Sequence, residues 1–146
     1  MSNQLRVERL EDRTAPAIFG VPWPDPGHLT LSFVPDGTAY SGGGTSNLFA
    51  TMDALMPRAT WQGQILTAFQ SWTAVAGINV SVVADSGDPL GTPGAVEGDK
   101  RFGDIRVSAT TMSQDAIACG APFSWTGTTF AGDLMFNSIG GVARVS

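Results

Sequence analysis

The sequence holds one histidine, His28, and one cysteine, Cys119. A site built from several histidines of this chain is therefore excluded, and so is an internal disulfide. A lone histidine can act as a metal ligand or a general base. His28 opens an alternating stretch with no second histidine to pair with and no fixed carboxylate expected beside it, so it reads as a surface or strand-edge residue. Cys119 lies in Ala118-Cys119-Gly120-Ala121-Pro122. A cysteine nucleophile needs a base and a depressed pKa, and the one histidine is remote in sequence. A buried, inert thiol is the expectation. Asp85, Asp88, Glu97, Asp99 and Asp104 bracket a long loop. Calcium takes six to eight oxygens, often from carboxylates and loop carbonyls, but the spacing matches no standard calcium loop. A solvated acidic loop is the plainer reading. Gly42-Gly43-Gly44-Thr45-Ser46 precedes a helix. It lacks the lysine of a phosphate loop and no strand runs into it, so a flexible connection is expected. Trp61 and Trp72 fall on an apolar helical stripe and read as core, while Trp23 and Trp125 are less constrained.

These residues need elements to position them. Pro22, Pro24 and Pro26 alternate with Trp23, Asp25 and Gly27, which makes an extended lead-in. Residues 28–34 then alternate as a half-buried strand, with Leu29, Leu31 and Phe33 on one face, and Pro35-Asp36-Gly37 turns the chain. Ser46 can cap a first helix carrying Leu48, Met52, Leu55 and Met56, which Pro57 stops. A second helix is predicted from about Thr60 to Ala76. Trp61, Ile65, Phe69, Trp72 and Ala76 form its stripe, and Gly77 stands at its C-terminal end. Strands are predicted over 78–84 and 104–109, with weaker ones over 116–123 and 133–137.

The chain has 146 residues, 42% hydrophobic and 14% charged, which suits one folded domain rather than a disordered segment. A formal charge of -5 argues against nucleic-acid binding, which needs clustered Lys and Arg. No apolar run has the length of a membrane span. Arg6, Arg9 and Arg13 balance Glu8, Glu11 and Asp12 in a charge-dense opening. This opening lacks the apolar centre of a secretory signal peptide. It resembles the "VERLEDR…PA" leader of large exported bacterial proteins, which implies a secreted or cell-surface location. Residues 1–20 are accordingly set aside as a leader or disordered tail.

The rest resembles the matrixin-type (metzincin) zinc metalloproteases. The residues that carry the likeness are Trp23-Pro24 before His28-Leu29-Thr30-Leu31-Ser32-Phe33, the helix with Trp61, Ile65, Ala68-Phe69 and Trp72, then Gly103-Asp104-Ile105-Arg106-Val107, Ala121-Pro122, and Gly132-Asp133-Leu134-Met135-Phe136. It runs from about Trp23 to Asn137. The resemblance implies that residues 21–146 form the N-terminal part of a metzincin-like domain. It implies catalytic zinc on an HExxHxxGxxH helix, with the glutamate as general base. No HExxH occurs in this sequence, and no catalytic residue is assigned. Ala118 and Met135 stand where the family's structural zinc has ligands. Asp104 and Asp133 stand at positions linked to calcium in the family. The resemblance also implies that Ala116, Ile117, Ala118, Cys119, Gly120 and Ala121 supply backbone to an extended peptide substrate.

The fold expected is α+β: a twisted, mixed, mostly parallel sheet of about five strands crossed by the long helix. The function expected is the N-terminal portion of a secreted matrixin-like zinc endopeptidase, inactive as given, with a protein or peptide as substrate. The alternative is a non-catalytic extracellular binding or structural module.

Overall fold

The computed structural model describes residues 22–123 and 128–139. The expected leader and Trp125 lie outside the described residues. The elements, after a 3-10 turn at Pro26–His28, are β1 (Leu29–Phe33), α1 (Leu48–Asp53), α2 (Arg58–Ala76), β2 (Val80–Val82), β3 (Ile105–Thr110), β4 (Ala118–Gly120) and β5 (Leu134–Asn137). The strands form one five-stranded sheet in the order β2-β1-β3-β5-β4. β1 pairs in parallel with β2 and β3, β3 in parallel with β5, and β4 runs antiparallel to β5. The mixed, mostly parallel α+β sheet expected from the sequence is the one observed.

The sheet is covered on two sides by different materials. Ile105, Val107 and Ala109 of β3 join Leu29, Leu31, Trp61 and Ile65 in the apolar core under the helices. Arg106 and Ser108 alternate with them and are as deeply buried, but against the loops. Successive strand residues point to opposite faces, so β3 carries an apolar face and a polar face, both covered. The polar face is closed by hydrogen bonds: the Arg106 side chain donates to Asp85 and to the carbonyls of Asp88 and Pro89.

α1 differs from expectation at both ends. α1 is short, and Ser46 does not cap it; the N-cap is Asn47, without a side-chain cap bond. The Asp36 carboxylate does that work from the preceding turn, accepting the Phe49 and Ala50 amides at 2.8 and 2.9 Å. Leu55, expected on the buried face, is 46% exposed. α2 ends as expected at Gly77, whose φ of 67° and backbone bond to the Thr73 carbonyl close the last turn. Only its first half is buried, at Trp61 and Ile65. Trp72, expected to pack on the sheet, is 68% exposed, and Val75 is exposed too. The reason is length. The 19-residue helix runs past a sheet whose nearest strand, β2, has three residues. A periodic stripe shows which residues share a face but not how far the partner layer extends.

Candidate functional site

β4 is the outermost strand on its side of the sheet among the described residues. Its residues are exposed throughout. The pairing fixes which backbone groups face outward. Asn137 donates to the Ile117 carbonyl, and Ala121 donates to the Asp133 carbonyl. Cys119 is opposite Met135, in phase with those two pairs. In an antiparallel ladder, bonded and unbonded pairs alternate. Ile117, Cys119 and Ala121 therefore face β5, and the amide and carbonyl groups of Ala118 and Gly120 face away from the sheet. Ala116 is engaged elsewhere, donating to the Ser113 carbonyl and accepting from the Asn137 side chain.

This placement corrects the expectation for Cys119, which is exposed. An edge strand with no layer over it leaves even a small apolar side chain in solvent. His28 is exposed as expected, but it does have a carboxylate beside it. Nδ1 lies 2.9 Å from both oxygens of Asp25, and this contact raises the imidazole pKa above its ordinary value.

The acidic loop is not simply solvated. The Asp99 carboxyl is held down at about 2, chiefly by hydrogen bonds from Arg101. Arg101 also bridges to Asp88 at 3.2 Å. Glu97 accepts from the Asp25 amide at 3.0 Å. Asp85 is spent on Arg106, in an ion pair of 2.7 Å whose side chains are 1% and 0% exposed. Ser32 donates to the same carboxylate at 2.7 Å. Gly42–Ser46 is also more ordered in role than a flexible connection. Tyr40 donates to the Gly44 carbonyl and Gly43 donates to the Tyr40 carbonyl, so the glycines, at φ 99° and 85° for Gly43 and Gly44, make a tight turn. Trp23 packs against Phe123 at 4.4 Å between ring centroids. A Cβ on Gly132 would lie 2.4 Å from the Trp23 ring, so glycine is what lets the indole seat there.

Asp104 and Asp133 come from neighbouring strand starts, but their carboxylates go to different strands. Asp104 Oδ2 accepts the Thr30 amide and hydroxyl of β1, both at 2.8 Å, and Oδ1 accepts the Gly98 amide. Asp133 Oδ1 accepts the Arg106 amide of β3 at 2.9 Å. Its Oδ2 is buried with no hydrogen-bond partner among the described residues. Burial pushes the Asp133 carboxyl up to about 8, against the opposing pull of the Arg106 amide and charge.

The donor set does not fit the zinc that the resemblance implies. Hydrolytic zinc needs about three protein ligands and an open position. Among the described residues no three of His, Cys, Asp and Glu converge on one point. No step of hydrolysis can be routed through these residues.

Sequence reasoning missed the polar face of β3 and the cluster of Tyr40, Ser46, Ser108 and Asp133 against it. One signal was present: Arg106 puts a full charge into a strand, between Ile105 and Val107. A charge there must find a buried partner or force the strand to a surface. No protein-family model, no curated protein and no solved structure matches the chain.

Proposed function

We propose that the chain is the substrate-presenting N-terminal portion of a secreted matrixin-like zinc metalloendopeptidase, without hydrolytic activity of its own. The observation that carries this reading is β4. It is an antiparallel strand at the border of a parallel sheet, small in its side chains, with Ala118 and Gly120 presenting backbone outward. An extended peptide can add there through main-chain hydrogen bonds. Secretion rests on the likeness of the first residues to an exported-protein leader. Calcium at Asp104 and Asp133 belongs to the same reading, with Asp133 Oδ2 as the oxygen that retains unused acceptor capacity.

The same strand favours a second reading, an extracellular binding module that uses β4 without chemistry, since strand addition needs no metal. Two measurements separate them. The nucleotide sequence following the Ser146 codon should encode HExxHxxGxxH under the first reading and not under the second. The purified chain, incubated with zinc and gelatin, should give no chelator-sensitive cleavage. Cleavage that co-purifies with this polypeptide would overturn the claim of inactivity.

A further inference from the structure

Three of the buried side-chain oxygens without a hydrogen-bond partner among the described residues are Tyr40 Oη, Ser46 Oγ and Asp133 Oδ2. They share one neighbourhood. The Tyr40 hydroxyl lies beside those of Ser46 and Ser108, close enough to feel the charges of Asp133 and Arg106. Yet none of its contacts has hydrogen-bond geometry. Ser108 Oγ spends its proton on a long, 3.4 Å bond to the Leu134 carbonyl, which leaves its lone pairs for another partner. Ser46, Ser108 and Asp133 are each 1% exposed or less.

Orphaned polar atoms in a native interior call for an explanation, and an ion or a water is the usual one. Charge decides between them here. The Arg106 guanidinium is taken by both oxygens of Asp85, so that pair is internally neutral. Asp133 then has no side-chain counter-charge of its own. Left alone, that carboxyl escapes the cost of a buried, uncompensated charge by keeping its proton. The side chains of Tyr40, Ser46, Ser108 and Asp133 offer oxygens, one of them from a carboxylate, and such a set suits a hard cation. A single positive charge can take the proton's place and leave the carboxylate compensated.

We propose that Tyr40, Ser46, Ser108 and Asp133 form a buried site for a monovalent hard cation of the sodium type. The hydroxyls offer lone pairs and the carboxylate offers charge. Tyr40 also lines an open cleft of about 470 Å³ with Ser41, Gly43, Thr110 and Phe130, which gives the ion a way in from solvent. The site is independent of the peptide-binding reading of β4, but it takes Asp133 Oδ2 from the calcium reading, so only one of those two ions can hold that oxygen.

The test is thermal melting of the full chain at equal ionic strength in choline, sodium, potassium or calcium chloride. Sodium should raise Tm over choline by about 4 °C or more at ten times its dissociation constant, in a saturable way. Asp133→Asn should abolish the increment. Ser46→Ala and Tyr40→Phe should shift the sodium midpoint upward at least threefold, and they keep the proposal testable if Asp133→Asn does not fold. Asp104→Asn should leave the increment intact. Equal melting in sodium and choline would mean that the gap holds water alone, and the proposal would fall. A response to calcium only, lost in both Asp104→Asn and Asp133→Asn, would also overturn it and would favour the paired-carboxylate site instead.

Discussion

The Arg106–Asp85 pair shows how a single residue can organise a layer. The guanidinium lies on the loop side of β3, over the Phe102 ring at 4.2 Å from its centroid, and is fully buried. Its partner must therefore stay. Asp85→Ala leaves a buried cation unpaired and frees Ser32 as well, so it should cost about 3–5 kcal/mol in a denaturant melt. A cost under about 1 kcal/mol would mean that water reaches Arg106. Asp133 carries the opposite lesson. Its carboxyl titrates at about 8 when folded, against an ordinary 3.8. Between those values the folded state holds a proton that the unfolded state has released. Stability is therefore full below about pH 4 and falls as pH rises toward 8. In buffers free of metal cations, Asp133→Asn should flatten that slope and gain on the order of a few kcal/mol relative to wild type near pH 8. Denaturation curves at pH 5 and 8 check it; parallel slopes in both proteins would assign the pH dependence elsewhere. Of these residues the sequence made Arg106 conspicuous, but not its partner, which is 21 positions away. Nothing in the spacing of Tyr40, Ser46 and Ser108 signals that they meet, because a long loop brings them together and loops carry no periodicity.

At the scale of elements, periodicity was a good guide to identity and a poor guide to extent. The strand at Leu29–Phe33, the helix through Trp61 and Ile65, and the strand at Ile105–Thr110 lie within a residue or two of where alternation and the helical stripe put them. Leu29, Leu31 and Phe33 keep the predicted face of the first strand, and Trp61 and Ile65 that of the helix. Trp72 breaks the pattern, because burial depends on a neighbour and the three-residue β2 does not reach under it. The two tryptophans of α2 now separate cleanly. Trp61 is 1% exposed, packs edge-on against Phe33 and Phe49, and donates its indole N–H to Asp53 at 2.9 Å. Trp61→Ala should cost about 3–5 kcal/mol. Trp72→Ala should change stability by less than about 0.5 kcal/mol, as exposed positions do. Equal losses at the two sites would show that the distal half of α2 is covered in solution.

At the scale of the whole molecule, the sheet has two borders of unequal character. Among the described residues, β2 ends one side with Val82 half in solvent, and β4 ends the other with alanine, cysteine and glycine. Neither the sequence composition nor the order of strands along the chain reveals which strand is outermost, since β5 inserts itself between β3 and β4. Once the order is seen, the ladder phase makes a sharp forecast. Proline removes an amide donor, so it is tolerated where the N–H faces away from the sheet and harmful where the N–H bonds within it. A Cβ at Gly120 would meet nothing within 4 Å. Gly120→Pro should thus keep the fold to within about 1 kcal/mol, yet weaken the pairing of an added extended peptide by removing one outward donor. Cys119→Pro should do the reverse: it breaks the pair with Met135 and costs at least about 1 kcal/mol, while leaving the outward amides of Ala118 and Gly120 in place. Amide exchange on β5 reads the first effect, and binding of a fluorescent extended peptide reads the second. If Gly120→Pro unfolds the sheet while Cys119→Pro is silent, the phase of β4 is inverted. The residues facing an added strand would then be Ile117, Cys119 and Ala121.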